Sequence, residues 1–143
     1  MPKLNRPRLL MPALLILVLT ANGCAAKPSP AVVALPNGYY LQASKGDELS
    51  IVKSNGRAVI PSPIAAYAVS RNIVMGALGT PPPLARTYTN DLPFKGDANT
   101  RYFILDTLTG KVVTGLDEAA WKMQLTSLGV PGPVEVHTPF FPT

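Results

Sequence analysis

Residues 101–129, RYFILDTLTGKVVTGLDEAAWKMQLTSLG, change their hydrophobic period half-way along. Arg101–Asp106 is a β-rich run. Thr107-Leu108-Thr109-Gly110-Lys111 is turn chemistry, and Val112-Val113-Thr114 is the returning arm. Asp106 suits an Asx-type bond to its own backbone, and Gly110 suits a positive φ. From Asp117 onward the period becomes helical. Trp121, Leu125 and Leu128 fall at i, i+4 and i+7, on one face. Asp117 is an N-cap, Glu118 matches the positive dipole end, and Gly129 with Pro131 stops the helix. The pattern predicts a hairpin and then a helix over about 117–128, packed on a sheet through that stripe. The fold class read from it is α+β. Trp121 reads as core or as a ligand platform, and its plain leucine companions favour core.

Working back along the chain, the β pattern repeats. Tyr39–Ala43, Leu49–Lys53 and Ala58–Ile60 are strand candidates. The last two flank Ser54-Asn55-Gly56-Arg57, and Asn-Gly between two β-rich runs is the strongest short hairpin signal. Ala66–Val69 and Ile73–Leu78 form a second hairpin about Ser70-Arg71-Asn72, with Gly76 weakening its second arm. Together these runs predict a small antiparallel meander of about five to seven strands, an ordinary size for one sheet. Residues 79–100 (GTPPPLARTYTNDLPFKGDANT) are a long connector, expected as a flexible loop. Connectors of that length are functional or mobile. Tyr88, Asn90, Asp91 and Phe94 are its candidate partner-contact residues. In the proline-rich tail, Val134-Glu135-Val136 reads as an edge strand. Phe140-Phe141 either tucks into the domain or stands out as an apolar tip.

The amino-terminal part has a different character. Lys3, Arg6 and Arg8 precede an uncharged apolar run, Leu9–Leu19. A basic segment followed by about a dozen apolar residues is the layout of a secretory signal, and a spanning helix needs roughly 20. Behind that run stands Cys24, the chain's one cysteine. Ala21-Asn22-Gly23-Cys24 resembles the lipobox of bacterial lipoproteins, with Gly23 and Cys24 matching the pattern and Ala21 in the position where leucine is usual. The resemblance implies cleavage after Gly23, removal of residues 1–23, and a diacylglycerol on the Cys24 thiol. The other reading of Cys24 is an ordinary buried thiol. Residues 24–36 would then be the lipidated cysteine and a proline-rich tether, with residues 37–143 as the domain. Alternatively Val32, Val33 and Leu35 belong to a first strand. The remainder loosely resembles small uncharacterised bacterial lipoproteins, a likeness that implies no activity.

Composition narrows the function classes. The 143 residues are 47% hydrophobic and 15% charged, with a formal net charge of +5. Lys3, Arg6 and Arg8 would leave with the signal, so thirteen basic side chains become ten against eight acids, a formal +2. No basic run remains, so no nucleic-acid surface is predicted. His137 is the one histidine, so with Cys24 lipidated a zinc set lacks ligands, and a Ser-His-Asp arrangement would have to use His137, in a proline-rich tail with no nucleophile-elbow sequence nearby. Gly76-x-x-Gly79 lacks the Lys-Ser/Thr of a phosphate loop. Asp47 and Glu48 are adjacent and would point to opposite faces of a strand. Neither a cofactor nor a metal nor a catalytic set is predicted. The expectation is a lipid-anchored envelope protein facing the periplasm or exterior. Its partners would be the membrane and an envelope protein or polymer, and its role binding or accessory. Ala25, in place of the Asp of an inner-membrane retention signal, favours an outer membrane where the cell has two. The alternatives are an envelope-polymer hydrolase using acids such as Asp91, Asp97 or Asp106, and a structural or self-protection lipoprotein.

Overall fold

The computed structural model describes residues 32–43, 48–79 and 91–139. Within them the chain is α+β, as the change of period predicts. The strands form two antiparallel sheets instead of one meander. The first sheet is β1 (Val32–Leu35), β2 (Tyr39–Ala43), β3 (Leu49–Lys53) and β4 (Ala58–Ile60), in chain order. The second contains β5 (Ile64–Ser70), β6 (Ile73–Leu78), β7 (Asp91–Pro93), β8 (Arg101–Asp106), β9 (Val112–Leu116) and β10 (His137–Pro139). Its order is β7-β10-β5-β6-β8-β9. One helix, α1, spans Glu118–Ser127.

Three layers result, and β8 is the reason. Its run Tyr102-Phe103-Ile104-Leu105 is buried on both faces, as a near-continuous apolar strand must be. Phe103 and Leu105 face the first sheet, meeting Leu41, Ile51, Ile60, Ile64 and Val74. Tyr102 and Ile104 face the other way, with Met75, Ala77, Trp121 and Leu125. The first sheet therefore covers one side of the second, and α1 covers the other.

Several local expectations hold in detail. The Asp117 carboxylate accepts from Ala120 N at 2.8 Å and caps α1. Gly129 lies at φ 72°. Its N–H donates to Thr126 O, and Val130 N–H donates to Leu125 O. This is a complete Schellman closure, with Val130 and Leu125 buried in one cluster. Other expectations are corrected. Val32–Leu35 pairs with β2 throughout, so the folded unit includes residues assigned to the tether. Residues 79–100 are not one loop, because Asp91–Pro93 pairs with β10 and Asp97 organises a turn with Asn99 and Thr100. No edge strand forms at Val134–Val136; the strand of the tail is His137–Pro139, which lies inside the sheet between β7 and β5. Leu128 is 48% exposed at the helix C-cap, off the buried stripe. The Asn55-Gly56 hairpin puts only Gly56 at positive φ, 77°. Gly56 N–H donates to Lys53 O and Lys53 N–H to Arg57 O, which makes a three-residue loop with a bulge.

Gly76, which weakens a strand by propensity, has a packing role. It pairs with Phe103 across β6 and β8, and a Cβ there would overlap the Phe103 ring and the Ala66 carbonyl oxygen. The two sheets are also tied at one end. Thr107, 4% exposed, donates its hydroxyl to Asn72 O at 2.7 Å and accepts from Asn37 Nδ2 at 2.9 Å. Asn37 belongs to the turn before β2, Asn72 to the β5–β6 turn, and Thr107 to the β8–β9 loop.

Candidate functional site

On the helical side of the second sheet, α1 and the segment 130–136 do not close against one another. Between them is a groove of about 460 Å³, within the range of about 300–1,000 Å³ usual for small-ligand sites. Its floor comes from β8 and α1. The Tyr102 and Trp121 rings stack with centroids 4.7 Å apart and planes inclined by 25°. Leu125, one turn beyond Trp121, continues the floor. Phe94 forms one end, held by its N–H on Val136 O at 3.0 Å. Val134 and Pro133 form the far wall.

The sequence dictates this arrangement locally. The Schellman turn at Gly129 redirects the chain away from the helix axis. Pro131 and Pro133 then keep the returning segment out of the sheet ladder until His137. The segment 130–136 instead stands as a wall of the groove.

The polar groups of the groove sit at its rim. Glu118 and Lys122 form an exposed i,i+4 ion pair, and Glu135 is exposed on the opposite wall. The Lys122 ammonium is held above its ordinary range by the Glu118 carboxylate. Burial first, and the Glu118 charge second, push the Tyr102 phenol up. Trp121 Nε1 donates to Phe103 O at 3.2 Å, and Thr126 Oγ1 donates to Lys122 O at 3.0 Å. Trp121 and Thr126 thus spend their single side-chain donors within the protein, and the Lys122 ammonium is shared with Glu118. Trp121 is core, as its stripe suggests, at 3% exposure. It also lines the floor of the groove.

No family model, curated protein or solved structure matches this chain. The site has to be read from its own geometry.

Of the residues singled out in the sequence, Phe94 lies in the groove. Asp91 is placed on β7, paired with Pro139. Gly23, Cys24, Tyr88 and Asn90 lie outside the described residues. Two of the three acids named for hydrolysis, Asp106 and Asp97, have local partners. Asp106 accepts from Leu108 N, Asn72 Nδ2 and the Thr109 hydroxyl at 2.8–2.9 Å. The Thr109 hydroxyl, then the Asn72 amide, hold its carboxyl below the usual range. Asp97 accepts from Asn99 N at 2.9 Å and from the Thr100 hydroxyl at 3.2 Å. Among the described residues no three His, Cys, Asp or Glu side chains gather as a metal set. Among them no helix is long and apolar enough to cross a membrane.

Sequence reasoning missed Tyr102, Val134 and Glu135. Tyr102 reads as one more residue of a buried strand, and only its i, i+19 meeting with Trp121 reveals its second role. The signal that was present lay in the paired prolines after Gly129, which forbid a regular continuation.

Proposed function

We propose that the chain is a lipid-anchored protein of the bacterial envelope whose folded part is a non-enzymatic binding module. The groove over Tyr102 and Trp121 is its ligand site. The groove carries this reading, an apolar hollow with a few charged groups at its rim. The basic and apolar leader with Gly23-Cys24 supports the anchor. Stable attachment takes about two acyl chains, which a diacylglyceryl cysteine supplies. Phe94, named from the sequence as a candidate contact residue, stands at the end of the same groove.

Two measurements test the two halves. The N-terminal peptide from the membrane fraction should begin at Cys24 and carry diacylglycerol. A peptide retaining Ala21-Asn22-Gly23 with an unmodified thiol removes the anchor. For the site, a photo-crosslinking amino acid at Thr126, exposed on the groove rim, should give a specific product in intact cells. The same group at Leu108, exposed on the β8–β9 loop, should not. Equal labelling at both positions removes the groove.

A further inference from the structure

Resting on the groove as a binding site, we propose that its ligand is a compact apolar or aromatic molecule carrying a positive charge, and that the site rejects anions and polyhydroxylated ligands. The floor is hydrocarbon and aromatic ring: Phe94, Tyr102, Trp121 and Leu125. A polyhydroxylated ligand or a phosphate needs several donors. Here the single side-chain donors of Trp121 and Thr126 are engaged within the protein, leaving the Tyr102 hydroxyl and a Lys122 ammonium already shared with Glu118. Burying unmatched ligand hydroxyls against such a wall is unfavourable.

The charge argument is independent of the donor argument. The rim holds two carboxylates, Glu118 and Glu135, against the single ammonium of Lys122, which is paired with Glu118. The uncompensated charge is therefore negative, on the Glu135 wall. Aromatic faces attract cations through their quadrupole, most strongly where water is thinned. Size follows from the volume. About 460 Å³ is within the range of about 300–1,000 Å³ usual for small-ligand sites, room for one ring system or one large side chain.

The test uses three probes that share a phenyl ring on a short chain and differ in the terminal group: 2-phenylethylammonium, 2-phenylethanol and 3-phenylpropionate. Trp121 is the single tryptophan, so ¹⁵N-labelled full-length protein in uncharged detergent gives one indole N–H signal, at the groove floor. The ammonium probe should move that signal saturably, with an affinity at least fivefold above the propionate, and the alcohol should lie between. Glu118→Gln with Glu135→Gln leaves Lys122 as the rim charge and should invert the order. Val134→Arg should abolish all shifts while the rest of the spectrum keeps its dispersion. Equal binding of the three probes, or an order unchanged in the double variant, overturns the charge selectivity and leaves the groove standing. No shift with any probe in a folded protein overturns the groove itself.

Discussion

Gly76→Ala is the smallest substitution that should break this fold. An added Cβ would stand 2.1 Å from the Ala66 carbonyl oxygen and 2.8 Å from two carbons of the Phe103 ring. Ordinary contact begins at 3.4 Å, so the backbone overlap alone is 1.3 Å (3.4 less 2.1). A flexible side-chain end could swing away. Here Ala66 O belongs to β5, which is hydrogen-bonded along β6, and Phe103 is fully buried between the sheets. Overpacking a core costs typically about 1–3 kcal/mol, and a backbone partner puts this case at the upper end. Replacing glycine restricts the unfolded chain and returns about 0.4–1 kcal/mol. The net expected loss is about 2–3 kcal/mol. At about 4–8 °C per kcal/mol for a domain of this size, the melting temperature should fall by about 10–20 °C. Gly56→Ala is the comparison. Gly56 has φ 77° and nothing within 4 Å of its added Cβ, so it carries backbone strain alone, about 1 kcal/mol. Both variants are read by urea unfolding, followed by circular dichroism and by Trp121 fluorescence. Adding Phe103→Leu to Gly76→Ala should not restore stability, because the carbonyl overlap remains. The reasoning fails if Gly76→Ala costs no more than Gly56→Ala, or if Phe103→Leu rescues it.

Three further outcomes follow from particular bonds. Thr107→Val keeps the shape and removes the hydroxyl shared by Asn37 and Asn72, so it should cost about 1–3 kcal/mol, while Thr107→Ser retains most of the stability; equal melting of Val and wild type would contradict this. Asp106 has a carboxyl held below its ordinary 3.8, so its contribution is complete above that value and is lost as pH falls through the folded one. Asp106→Asn should therefore be less sensitive than wild type to lowering the pH from about 5 to about 3, measured as the shift of the urea midpoint; identical shifts would remove the assignment. Asp117→Ala deletes the N-cap bond to Ala120 N and should cost about 1 kcal/mol, with Asp117→Ser recovering most of it, both read by thermal unfolding.

How legible the fold is depends on whether a signal is local. Asp117, Gly129 and Asp106 act on their own neighbours in the chain, and each occupies the role its type predicts. The second sheet layer is not local. Val32–Leu35 sits among prolines and reads as spacer, and it becomes a strand because Tyr39–Ala43 offers it an edge and Leu35 a place in the core. Propensity misjudges Gly76 for the same reason, since the ring that requires it lies 27 positions away. Leu128 keeps the period of its stripe and still emerges into solvent, because the helix has already ended beneath it.

The groove is legible only in part, and its construction explains why. Phe94, Tyr102, Trp121 and Val134 come from four stretches of chain, and each alone reads as core or as loop. They line a hollow because segment 130–136 can neither continue the helix nor enter the sheet. That origin divides the site into two kinds of residue. The floor is shared with the core: Trp121 holds Phe103 O, and Tyr102 and Leu125 sit in the cluster under α1. Changing the floor therefore changes the fold, at several kcal/mol for a large-to-small substitution. The rim residues Glu118, Lys122 and Glu135 are exposed, and the one ion pair among them, Glu118–Lys122, is a surface pair of little worth to stability. Ligand preference can then be retuned at the rim with little loss of stability, while the shape of the hollow is fixed by the packing that holds the protein together.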